Sequence, residues 1–126
     1  MTTGAKLFLA AGGLAALLAV ALGAFGAHAL KTRLPAEMLA VWHTAVEYHV
    51  YHALGLLAVG FVATQLLDSA LLKWSGWLML AGIVLFSGSL YALAFSGERW
   101  LGAITPIGGV AFLVAWALFV AAVVKG

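Results

Sequence analysis

Leu7-Phe8-Leu9-Ala10-Ala11-Gly12-Gly13-Leu14-Ala15-Ala16-Leu17-Leu18-Ala19-Val20-Ala21-Leu22-Gly23-Ala24-Phe25 carries no charge over its whole length, and no charge follows before Lys31. A helix needs about 20 apolar residues to cross the hydrocarbon core of a bilayer, so this stretch makes the chain a membrane protein. Within it, Ala15, Ala19, Gly23 and Ala27 recur at every fourth position. They line one helix face, and small residues let backbones approach closely in lipid, where packing drives association. The stripe is expected to be a packing face, and together with the small size of the chain it suggests a homo-oligomer. Lys6 before the run and Ala27-His28-Ala29 after it imitate a cleavable leader. The apolar run is longer than a leader's ~7–15 residues, so it is expected to stay as a span.

The rest of the 126 residues agrees. Hydrophobic residues make up 66% and charged residues 8%, with a mean hydropathy of +1.16. A soluble domain of this size has too much surface to hide so much apolar material, so its solvent is lipid. No basic run exists to neutralise phosphates, so nucleic acid is not an expected partner; membrane lipids are. There is no cysteine, which excludes disulfides, thiolate metal sites and cysteine nucleophiles.

Working outward from the first run, Lys31 to Glu37 is a loop, and Pro35 and Glu37 suit the start of a second helix. Gln65 to Lys73 is a turn, Trp74 and Trp77 mark a membrane interface, and Gly97 suits a helix stop. Thr105-Pro106 reads as an N-cap followed by proline in the first helical turn. The expected architecture is all-α: a single four-helix transmembrane bundle spanning 1–126, with helices at about 7–29, 35–67, 73–95 and 106–124 and both termini on one side. Short loops make neighbouring helices antiparallel, which gathers the unusual polar residues at one end. The opposite end has only Lys6, Asp68, Lys73 and Lys125 as charges. Lysine and arginine number three at each end, so the positive-inside rule does not orient the bundle. Its expected location is the cell's inner (plasma) membrane, as a multi-pass protein.

The rich end is dominated by Trp42-His43-Thr44-Ala45-Val46-Glu47-Tyr48-His49-Val50-Tyr51-His52, which holds three of the four histidines. Polar groups at membrane depth are expensive unless paired or used. On a helix, His43 and Glu47 lie one turn apart and can pair. His49 and His52 share the roughly opposite side, and Tyr48 shares the face of His52. The candidate polar hub is therefore His28, His43, Glu47, Tyr48, His49 and His52 with Ser87, Ser89, Tyr91 and Thr105. It is expected to be non-enzymatic: either structural or a site for a lipid or small molecule. No nucleophile elbow, converging carboxylates or phosphate loop is present. One alternative is a small oligomeric transporter, channel or proton relay built on Glu47 and the histidines. Another is an intramembrane transition metal or haem held by His28, His49 and His52, although no motif such as H-E-x-x-H supports it; no cofactor is the expectation.

Four blocks, taken together, resemble one family. They are Gly23-Ala24-Phe25-Gly26-Ala27-His28-Ala29-Leu30-Lys31, the stretch Trp42 to Leu54, Phe86-Ser87-Gly88-Ser89-Leu90-Tyr91, and Ile104-Thr105-Pro106-Ile107-Gly108-Gly109. In this order they are similar to the signatures of domain of unknown function family 423. That resemblance implies a four-span inner-membrane protein of bacterial type. It implies no activity and transfers no site residues.

Overall fold

A computed structural model describes residues 1–126. Four helices are each long and apolar enough to cross a membrane: α1 (Thr3–His28), α2 (Ala36–Ala63), α3 (Ala70–Ser96) and α4 (Thr105–Lys125). There are no strands. A short 3-10 turn, Arg99–Ala103, joins α3 to α4. Within α3, residues Ile83–Ser87 form a π-helical segment.

Local chemistry sets the ends, and it moves several of the expected boundaries. α1 begins earlier than residue 7 because the Thr2 hydroxyl accepts from the Ala5 amide. α2 stops at Ala63 rather than Leu67: the amides of Thr64 and Gln65 turn back to the carbonyls of Phe61 and Val62. The chain then reverses through Asp68, whose φ of 64° is left-handed, a conformation aspartate tolerates better than most residues. The Ser69 hydroxyl caps α3 by accepting from Leu72 N, so α3 starts at Ala70 rather than Lys73. Gly97 ends α3 at φ 74°, as expected of a glycine stop. Thr105 is not an N-cap. It is the first residue of α4, its helix has no side-chain cap, and its hydroxyl is bonded elsewhere.

α2 is the central helix. It packs along α1 on one side and against α3 on another, while α3 pairs with α4. Glycines set the closest approaches. A Cβ on Gly12 would lie 2.9 Å from the backbone nitrogen of Leu57, and one on Gly60 2.9 Å from that of Leu9. These contacts hold α1 and α2 almost backbone to backbone, as small residues permit in lipid. Ala15 and Ala19 of the stripe are buried and Gly23 sits against Val46 of α2. The stripe is thus a packing face within the chain, and only Ala27 remains outward.

Two apolar clusters result. Phe8, Leu56, Val59, Leu72 and Met79 anchor the one at the lysine-bearing end. Leu30, Met38, Trp42, Leu93 and Ala94 form the other. The polar residues of α2 lie between them. At the surface of the rich end, Arg99 reaches Glu37 at 3.2 Å, tying the 3-10 turn to the start of α2. Both side chains are well exposed, so the pair contributes about 0–1 kcal/mol.

Candidate functional site

The polar residues of the rich end divide into an inner set and an outer set. α2 makes the division, because residues three or four apart share a face. His49 and His52 point inward and are only 4% exposed. His43, Glu47 and Tyr51 point outward.

In the inner set, His52 is fully engaged. Its Nδ1 lies 2.7 Å from the Tyr48 carbonyl oxygen, which can only accept. Its Nε2 lies 3.0 Å from Trp116 Nε1, which can only donate. His52 is therefore neutral, with its proton on Nδ1, and neither nitrogen has a lone pair to offer. Its ring stacks on Phe112 at 3.4 Å between centroids and lies parallel to Tyr48. His49 Nδ1 bonds the Tyr91 hydroxyl at 2.9 Å. One imidazole thus links α2 to α3, and the other links α2 to α4.

Serines complete the network. Ser87 Oγ donates to the Ala45 carbonyl at 2.7 Å, joining α3 to α2. Ser89 Oγ donates to Phe86 O, so at 2.7 Å from Thr105 Oγ1 it accepts the threonine's proton. Every buried side-chain nitrogen or oxygen in the molecule has a partner. Of the candidate hub, His49, His52, Ser87, Ser89, Tyr91 and Thr105 take part in four bridges: His52–Trp116 from α2 to α4, His49–Tyr91 and Ser87–Ala45 from α2 to α3, and Ser89–Thr105 from α3 to α4.

The others lie apart. His28 is the outward last residue of α1 and joins none of these bridges. His43 and Glu47 do not pair: the one ion pair in the molecule is Arg99–Glu37. Glu47 faces the Tyr51 hydroxyl instead. Tyr48 packs edgewise with Tyr51 and against Phe86. No three histidine, aspartate or glutamate side chains gather closely enough to hold a metal ion, so His28, His49 and His52 are not brought to one point.

Three contributors lie outside the candidate hub: Trp116, Ser75 and Trp42, the last of which opens the polar stretch of α2. Trp42 Nε1 donates to the Leu22 carbonyl of α1 at 2.9 Å, and Ser75 Oγ donates to the Ala115 carbonyl of α4 at 2.7 Å. Trp116 carried a usable signal. It stands mid-span rather than at a membrane interface, and a buried indole N–H needs an acceptor.

The family described as "Protein of unknown function (DUF423)" matches residues 22–109. UPF0382 membrane protein YwdK of Bacillus subtilis is 56% identical over 120 residues, which cover 95% of this chain and 98% of the relative. UPF0382 membrane protein SSP2132 of Staphylococcus saprophyticus is 51% identical, covering 91% of this chain and 94% of the relative. A UPF0382 membrane protein of Staphylococcus epidermidis is 48% identical, covering 95% and 97%. No solved structure matches.

Proposed function

The chain belongs to the family of membrane proteins of unknown function DUF423, and from that premise we propose that it is a non-catalytic protein of the inner (plasma) membrane whose inner polar hub is a structural lock. The carrying observation is the saturation of His52: Tyr48 and Trp116 occupy both ring nitrogens. A catalytic base, proton relay or haem ligand needs one of them available. Transport also needs a polar path, whereas the core beyond His52 is built of Leu56, Val59, Met79, Leu72 and Phe8. Its one buried serine, Ser75, is bonded to α4.

A double-mutant cycle tests the lock. Trp116→Phe leaves His52 Nε2 unpaired, and His52→Leu leaves the Trp116 N–H unpaired. Each is expected to lower unfolding free energy by about 1–2 kcal/mol, while the double variant loses less than the sum, because removing both partners is cheaper than stranding one. Unfolding in detergent micelles gives the free energies, and mass spectrometry gives the co-purifying lipid, expected to stay constant. Wild-type stability together with lost lipid would instead make the hub a ligand site.

A second reading moves lipid binding to the other end. A cavity of about 310 Å³ opens there between Phe8, Leu66, Leu72, Asp68 and Lys73. One of about 560 Å³ adjoins it beside Leu71, Ala122 and Lys125. Apolar walls with a lysine at the rim suit an acyl chain and an anionic headgroup. Lys73→Ala is expected to reduce co-purifying anionic lipid; an unchanged lipid profile would remove this reading.

A further inference from the structure

The outer set of α2 has no partner within the chain that explains it. Ala40, His43, Thr44, Glu47 and Tyr51 are all outward and fall on one helix face. Val46, beside Glu47, packs against Gly23 of α1, five residues before the end of that helix. Glu47 therefore lies roughly 7 Å inside the end of α1, on the outward face of a helix long and apolar enough to cross a membrane. Acyl chains offer nothing to a carboxylate or an imidazole. Glu47 meets only Tyr51 of its own helix, and His43 makes no side-chain hydrogen bond.

We propose that this face docks a second copy of the chain, with α2 packed in parallel on its partner and His43 of each protomer paired with Glu47 of the other. The face is complementary to itself. A two-fold axis along the membrane normal turns an i-to-j contact into a j-to-i contact as well, so one geometry satisfies both acids and both imidazoles. The two residues are one turn apart, and a helical side chain leans towards its helix N-terminus. Both side chains lean the same way, so the offset between them stays at about 6 Å along the axis, which the glutamate and imidazole side chains span between them. Ala40 and Thr44, four residues apart, keep the helices close, and the Thr44 hydroxyl is already bonded to the Ala40 carbonyl at 3.1 Å. The small-residue stripe of α1 cannot serve this role, since Ala15 and Ala19 are buried.

The protein has no cysteine, so single cysteines report contacts cleanly in native membranes. Under mild oxidation, Ala40→Cys is expected to give disulfide-linked dimers. Leu113→Cys, on a 73% exposed position of α4, is expected to give none. In liposomes, energy transfer between labelled full-length chains measures the equilibrium. His43→Glu, which sets carboxylates against one another, is expected to raise the dimer dissociation constant on the order of tenfold. The exchange His43→Glu with Glu47→His is expected to restore it. Both positions face out of the bundle, so each variant should melt like wild type. Absent or equal cross-linking at the two cysteines overturns the proposal, as does an exchange variant that melts normally but stays monomeric. A wild-type monomer carrying a phospholipid that Glu47→Gln releases overturns it in favour of a lipid on this face.

Discussion

Gly108→Ala is expected to destabilise the bundle by about 3 kcal/mol, the upper range for overpacking. Gly108 is buried where α4 crosses the π-helical segment of α3. A Cβ there would lie 2.8 Å from the carbonyl carbon of Leu85 and from Cα of Phe86. Those are backbone atoms, so no rotamer change can clear them; α3 and α4 must separate. Separation also pulls apart Ser89–Thr105 and His52–Trp116, which depend on the position of α4. Gly109 is the internal control. Its Cβ would meet only ring atoms of Phe86, at 3.8 and 3.9 Å, in ordinary contact. Gly109→Ala is expected to be neutral or slightly stabilising through helix propensity, by up to about 1 kcal/mol. Unfolding both variants in the same detergent checks the contrast, and equal losses would refute the account of the crossing.

Trp42→Ala is expected to have an effect at least as large, about 3–5 kcal/mol. Trp42 is 3% exposed and organises the apolar cluster of the rich end. Its ring meets Tyr91 at 4.7 Å between centroids and packs with Phe25 and Phe95. It rests in the space left by Gly26, where a Cβ would lie 2.5 Å from the indole. Truncation removes these contacts and leaves a cavity between α1, α2 and α3. Trp42→Phe keeps much of the aromatic packing and loses the bond to the Leu22 carbonyl. Interhelical hydrogen bonds in membranes average about 0.6 kcal/mol, so the phenylalanine variant should be much the milder. If the two variants lose the same stability, the hydrogen bond rather than the packing dominates.

The four spans were legible because lipid demands long uncharged helices, and each such run shows directly in the chain. The Gly97 stop was legible because few other residues adopt its φ. The two faces of the polar stretch were legible as well: the helical period separates His43 from His49 and His52. Partners were not. His49 meets Tyr91 across 42 positions and Trp116 meets His52 across 64, and no local pattern encodes which helices adjoin. The expected His43–Glu47 pair does not form: both side chains are exposed on the outer face of α2, and the one ion pair in the molecule is Arg99–Glu37. The start of α3 falls before the expected Lys73 because Ser69, inside the expected turn, caps the helix, and serine is among the best N-caps. Thr105 illustrates the opposite error: a residue with good capping chemistry bonded to Ser89 instead, because α3 stands next to it.

The π-helical segment of α3 can be understood as a change of phase. Met79 lies beneath Gly55 of α2, and Ser87, eight residues later, reaches Ala45 of the same helix. In an unbroken α-helix those two side chains would diverge by roughly 80°. The wide turn at Ile83–Ser87 accommodates one residue more than an α-helical turn and lets both halves of α3 face α2. The two halves of the helix are therefore separate addresses: one is read by the apolar core, the other by the imidazole and carbonyl groups of α2. The length of chain between them, rather than any side chain within it, keeps the two in register.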